Sequence, residues 1–187
     1  MAAPKIHPHA IIETSSIGDD TRIWAFVHIL NGAVIGSGCN ICDHCYIEYG
    51  VTIGNNVTVK CGIYIWEGVT IEDDVFLGPN VVFTNDIRPR SKQYVTSAKT
   101  LIKKGASIGA NSTILAGNTI GEYAMTGIGS VVTRNVPAHA LVYGNPAKQK
   151  GWVDEWGNKL TILKPGIWVN QEGTTYAETI DGLKRLG

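Results

Sequence analysis

Asn31, Tyr49, Glu67 and Asn85 follow one another at eighteen-residue intervals, and directly beyond the last stand Asp86, Arg88, Arg90 and Lys92. A carboxylate beside an amide is a pair that moves a proton while orienting a nucleophile. Arg88, Arg90 and Lys92 suit a diphosphate by charge and bidentate geometry; a merely solvated loop would show the same residues. A second eighteen-residue series, His28, Tyr46 and Tyr64, offers flat rings on which a nucleobase would stack. Packing between subunits explains that series equally well. Gly32, Gly50 and Gly68 recur at the same interval and read as structural, since tight corners often require positive φ.

The elements that position these residues follow from a six-residue period. Stepping by six from Ile11 gives Ile17, Ile23, Ile29, Ile35, Ile41, Ile47, Ile53, Val59, Ile65, Ile71, Leu77 and Phe83, all large and apolar. Four residues after each comes a smaller one, beginning with Ser15, Thr21, Val27, Ala33, Cys39 and Cys45. A helix cannot hold a period of six on one face, because its own repeat is 3.6. A hairpin sheet alternates with period two. Short strands joined by tight corners of fixed length explain both the aliphatic column and the glycines, and predict an all-β parallel β-helix.

The period breaks at residues 84–101, resumes at Ile102, Ile108, Ile114 and Ile120, falters at Thr126 and returns at Val132. An irregular loop ejected from a rigid solenoid is usually functional. From Pro137 the repeat ends. We therefore divide the chain into a β-helix over 1–136 and a capping tail over 137–187, which contains a strand-like stretch at Ile167-Trp168-Val169. A cap would shield the open coil edge from association.

Composition narrows the partners. Lysine plus arginine and aspartate plus glutamate number 16 each, so the formal net charge is zero. Neither a nucleic-acid surface nor an anionic-membrane surface is expected. The N-terminus lacks a signal-like apolar stretch, and no apolar run approaches about 18 residues. Cys39, Cys42, Cys45 and Cys61 have a zinc-like local spacing, but the repeat points Cys39 and Cys45 inward as small hydrophobes. No metal is expected, and a reduced cytoplasmic protein is the simplest reading.

Together with the period, four stretches carry a resemblance: Thr21-Arg22-Ile23-Trp24, Ile71 to Pro79, Phe83-Thr84-Asn85-Asp86 with Pro89-Arg90-Ser91-Lys92, and Asn145-Pro146-Ala147-Lys148. Over about residues 5–156 the chain resembles the hexapeptide-repeat acyltransferases, in the branch that N-acetylates nucleotide-linked 3-amino sugars. The resemblance implies a left-handed coil of three hexapeptides, so residues eighteen apart stack on adjacent coils. It also implies a homotrimer with sites between subunits, acetyl-CoA as donor and a 3-amino-3,6-dideoxyhexose on dTDP as acceptor. UDP-linked 3-amino-uronic acids and sugar O-acetylation stay open as alternatives, as does a non-enzymatic assembly module. Thr126 and Ile128 depart from the residues usual in the family.

Within that frame Asn85 is expected to orient the amine. Glu67 or Asp86 assists with its proton, and the CoA thiolate takes the last one. Arg88, Arg90 and Lys92, with Asn31, Tyr49, His28, Tyr46 and Tyr64, are expected to hold the nucleotide-sugar. Backbone N–H groups around Gly127 and Gly129 would bind the pantetheine amides and steady the oxyanion. Arg134, Pro146, Ala147 and Lys148 complete the expected CoA contacts. The histidines His7, His9, His28, His44 and His139 all lie outside the 84–101 loop, which counts against O-acetylation. A zinc anhydrase on this fold would need three converging histidines, which this spacing does not supply.

Overall fold

The computed structural model describes residues 2–186. Short parallel strands stack coil upon coil into three sheets, nine-, seven- and five-stranded, and the tail adds a four-stranded antiparallel sheet. The coils follow the left-handed parallel β-helix. Consecutive strands of one sheet are eighteen residues apart, as in Tyr46–Ile47 under Tyr64–Ile65 or Asn40–Ile41 under Thr58–Val59. Across the ejected loop the offset becomes thirty-one, with Ile71 paired to Ile102 and Phe83 to Ile114. The loop therefore adds thirteen residues without disturbing the stack.

Most strands of the coils contribute one inward aliphatic side chain, and the column from Ile23 to Phe83 is at most 2% exposed throughout. Burying each of these side chains is worth about 1.5–3 kcal/mol, so the repetition itself accounts for the solenoid. Cys39 and Cys45 lie inside as expected, their thiols donating to the carbonyls of Gly54 and Lys60. Burial raises both thiols above the ordinary range, Cys45 to about 12. Thr126 occupies a column position at 1% exposure, where its hydroxyl accepts the Gly109 N–H at 3.0 Å and meets Ser112 Oγ at 3.4 Å. Its polar atom is satisfied within the coil, so the faltering of the pattern is only chemical.

The start of the column needs correction. Ile11 is 58% exposed, and the strand Ile11–Ile12 pairs Ile12, not Ile11, with Ile29. Ile6 likewise pairs with Ile23, seventeen residues on. The first coil is one residue short, and a one-residue slip turns every side chain to the opposite face. Thr14 rather than Ser15 then fills the small interior position, its hydroxyl donating to Ala33 O at 2.8 Å.

The tail begins as a continuation of the stack. Ala140–Tyr143 adds in parallel to Met125–Thr126, and Lys148–Trp152 folds back antiparallel along it. The separate sheet comprises Thr161–Lys164, Ile167–Val169, Thr175–Thr179 and Gly182–Arg185. It is fastened by buried Tyr176, whose hydroxyl donates to Glu155, and by His139, whose ring lies between Tyr123 and Tyr176.

Candidate active site

The seven-stranded sheet supplies the frame. Its inward column runs Ile29, Ile47, Ile65, Phe83, Ile114 and Val132. Two residues beyond each, the chain turns a corner at Asn31, Tyr49, Glu67, Asn85, Ala116 and Arg134. The polar series is therefore one corner of the solenoid. It extends past Asn85 to Arg134, two coils or about 10 Å further along the axis.

At Asn85 the chain leaves the corner. Asn85 and Asp86 are half-buried and line a cleft of about 340 Å³ with Ile87, Arg88, Val95, Thr96 and Ala98. The loop returns across the corner below. A Cβ on Gly68 would lie 2.9 Å from Ala98 O and 3.3 Å from Ser97 Cβ, and Ser97 Oγ donates to Glu67 Oε2 at 3.3 Å. The group resting on Glu67 is thus the returning limb of the loop. The Glu67 N–H donates to Glu48 Oε2 at 2.7 Å, which ties that corner to the coil beneath. Gly32, Gly50 and Gly68 have φ of 81°, 71° and 89°, the left-handed conformation the corner demands. Tyr49 is 60% exposed and lays its ring across Gly32.

The backbone before Asn85 is held from both sides. Thr84 donates its N–H to Ile114 O at 3.1 Å, and its hydroxyl accepts the Ala116 N–H at 2.9 Å. From the coil below, Trp66 Nε1 donates to Phe83 O at 2.8 Å. Pinning of this kind fixes the backbone from which the Asn85 side chain projects.

Beneath the cleft, the same sheet carries the ring series. His28 meets Tyr46 at 5.6 Å and Tyr46 meets Tyr64 at 6.2 Å, interplanar angles being 80° and 81°. The rings are edge-to-face, so they form a ribbed apolar wall in place of one flat platform. Trp66 extends the wall at 5.7 Å from Tyr46 and 6.0 Å from Tyr64. Phe26 and His44, stacked at 5.0 Å, line the same trough of about 400 Å³. His28 Nε2 is 2.7 Å from Glu13 Oε1. That hydrogen bond, the main cause, holds the Glu13 carboxyl below its usual range, and the Asn31 backbone assists.

Arg88, Arg90 and Lys92 are all exposed. Among the described residues none of them pairs with a carboxylate, and Arg90 Nη1 donates only to the adjacent Pro89 O at 2.9 Å. Of the three, Arg88 lines the cleft. At the other end of the sheet, Ala147 N–H donates to Val131 O at 2.8 Å. Pro146, Ala147 and Lys148 thereby lie beside the coil that carries Arg134. Gly127 and Gly129 do not have the expected donors free. Their N–H groups are taken by Val142 O and Ala110 O, both at 2.8 Å. Coil stacking uses these amides, and Gly127 is needed for another reason: a Cβ there would sit 2.8 Å from Tyr143 Cβ.

Sequence reasoning missed Trp66, Ser97 and Glu13. Trp66 was legible in principle, because it stands eighteen residues before Thr84. Ser97 and Glu13 were not, one lying in the aperiodic loop and the other in the shortened coil.

Comparisons with known proteins identify the fold and the family. The family model described as bacterial transferase hexapeptide (six repeats) matches residues 14–48 and 50–85. The dTDP-3-amino-3,6-dideoxy-alpha-D-galactopyranose 3-N-acetyltransferase of Aneurinibacillus thermoaerophilus is 68% identical over 159 residues, spanning 84% of this chain and 83% of that one. Among solved structures, a GDP-perosamine N-acetyltransferase variant from Caulobacter crescentus, in complex with CoA and GDP-perosamine, superposes with a TM-score of 0.51 at 22% identity. That match covers 80% of this chain and 57% of the other. A galactoside acetyltransferase in complex with coenzyme A gives a TM-score of 0.53 at 27% identity, covering 60% of each chain. A fold of stacked hexapeptides, a loop ejected beside Asn85 and a relative identical at two positions in three lead to one conclusion: the chain belongs to the hexapeptide-repeat acetyltransferases, in the branch of the nucleotide-linked 3-amino-sugar N-acetyltransferases.

Proposed function

We propose that this protein transfers the acetyl group of acetyl-CoA to the 3-amino group of a dTDP-linked 3-amino-3,6-dideoxyhexose, in the cytoplasm, for glycan biosynthesis. The observation that carries this reading is the order of groups along one sheet. The ring-walled trough comes first, then the Asn85 cleft, then, two coils on, Arg134 with the Pro146–Lys148 stretch. A long acceptor and a long donor laid end to end along that face would meet at Asn85. The name of the 68%-identical relative supports the choice of acceptor.

In this reading the trough, with His28, Tyr46 and Tyr64, takes the base, while Asn31 and Tyr49 contact the nucleotide-sugar from the adjoining corner. Arg88, Arg90 and Lys92 take the diphosphate. Asn85 Oδ1 accepts a hydrogen bond from the amine and aims its lone pair at the thioester carbonyl. The C–N bond forms, the C–S bond breaks, and the thiolate leaves. Glu67 or Asp86 assists the first deprotonation, and the thiolate accepts the remaining proton. An amine is a strong nucleophile, so positioning outweighs base strength here. Arg134 and Lys148 hold CoA phosphates; Gly127 and Gly129 give the pantetheine arm a low-profile path, without donating to it. The protein works as a homotrimer whose sites lie between neighbouring subunits, with residues 137–187 as the cap.

The test is a panel of dTDP- and UDP-linked 3-amino sugars assayed with acetyl-CoA by thiol release, for wild type and Asn85→Ala. Turnover should be highest on a dTDP-linked 3-amino-3,6-dideoxyhexose and fall by about 10²-fold in Asn85→Ala, the loss typical of an angstrom-scale misplacement. Near-normal turnover in that variant would move the chemistry elsewhere, with His28 next to test.

A further inference from the structure

We infer that Trp66 is a positioning residue for the transfer reaction: its indole N–H replaces a missing main-chain bond at the point where Asn85 leaves the solenoid. The inference rests on the function proposed above. In the coils below, the carbonyl at this corner is held by a backbone donor. Ile47 O accepts Leu30 N–H, and Ile65 O accepts Glu48 N–H, each at 2.9 Å. The next carbonyl in the series belongs to Phe83. Among the described residues no main-chain N–H donates to it, and it accepts Trp66 Nε1 at 2.8 Å. Strand pairing shortens at the same place. Tyr64–Ile65 pairs with Tyr46–Ile47 at both residues, but with the following strand only through Tyr64 and Val82.

The chain therefore parts from the coil below at Phe83, while Thr84 N–H stays bonded to Ile114 O of the coil above. A ladder bond from Trp66 N–H would have held Phe83 flush with the coil below. The indole reaches further than a backbone amide, so the carbonyl is satisfied while the chain lifts toward the cleft. The same corner position elsewhere holds Leu30, Glu48, Thr84, Leu115 and Thr133. Leucine and threonine side chains are too short or lack the donor, and a carboxylate has none to offer. The ring of Trp66 is meanwhile fixed by Tyr46 and Tyr64. One side chain thus joins the ring-walled trough to the backbone two residues before Asn85.

The experiment compares Trp66→Phe, which keeps an aromatic ring and deletes the donor, with wild type, Asn85→Ala and the double variant. Trp66→Phe should lower kcat on the nucleotide-linked amino sugar about tenfold or more, with KM for acetyl-CoA within about twofold. In the Asn85→Ala background the same change should alter kcat by less than about twofold, because a residue acting through another shows strong non-additivity. Fully additive losses, or normal kcat in Trp66→Phe, would overturn the inference. If Trp66→Phe folds poorly, a benzothienyl-alanine at position 66 preserves the ring shape without the N–H, and full turnover in it would be equally fatal. Amide hydrogen exchange of the segment 83–86 supplies a readout without substrate: exchange should rise in either variant, and unchanged protection would refute the anchoring. Absence of acetyl transfer by wild type on every sugar tested would instead sink the proposed function, while the exchange result would still decide the role of Trp66.

Discussion

A pair of glycine substitutions separates the demands of the corner from those of the returning loop. Gly50 and Gly68 occupy the same corner on adjacent coils, with φ of 71° and 89°. Alanine at either position suffers the left-handed backbone penalty, about 1–2 kcal/mol. The surroundings differ. A Cβ at Gly50 meets only Glu67 Cγ at 3.9 Å, which is ordinary contact, whereas a Cβ at Gly68 lies 2.9 Å from Ala98 O. A backbone oxygen at that distance must move by several tenths of an ångström, and it belongs to the limb whose Ala98 lines the Asn85 cleft. Both variants should lose stability by similar amounts from φ, lowering Tm by about 2–8 °C at roughly 2–4 °C per kcal/mol for a chain of this size. Only Gly68→Ala should also impair catalysis, raising KM for the nucleotide-sugar or lowering kcat by about tenfold or more. Thermal scans and steady-state kinetics on the two proteins side by side give both quantities. Equal activity in the two variants, at matched stability loss, would refute the claim that the loop's return path over Gly68 shapes the site.

Three further outcomes are expected. Ile53→Asp buries an unpaired carboxyl in the column, at a cost of several kcal/mol, and should prevent folding; a soluble, active variant would contradict the inward placement of that column. Arg90→Gln should raise KM for the nucleotide-sugar far more than KM for acetyl-CoA, and the reverse ranking would mean the two ligands are exchanged. His139, packed between Tyr123 and Tyr176, has its pKa lowered chiefly by burial. The unfolded chain therefore takes up a proton first as pH falls through about 6.5, so stability should drop below that value until the folded pKa is reached. His139→Phe should flatten this slope in thermal scans between pH 5 and 8, and an unaltered slope would assign it to other groups.

The solenoid and the candidate corner were legible because both depend on strict periodicity. An aliphatic residue every sixth position calls for short strands and tight corners that bury them all, and the three-hexapeptide coil implied by the family resemblance then stacks Glu67 below the position of Asn85. Cys39 and Cys45 were placed inside by the same arithmetic. The shortened first coil was hidden because Ile11 and Ile12 are the same residue type, so apolarity alone could not distinguish the inward one. The loop was visible only as a gap in the period. That its return limb rests on Gly68 and sets Ser97 against Glu67 depends on a path with no repeat to read. The amides of Gly127 and Gly129 were expected to face coenzyme A, yet both bond to the neighbouring coils. The bond from Trp66 to Phe83 O was beyond any pattern. Periodicity specifies which backbone groups should pair, and only the folded chain decides where one pairing fails and a side chain takes its place.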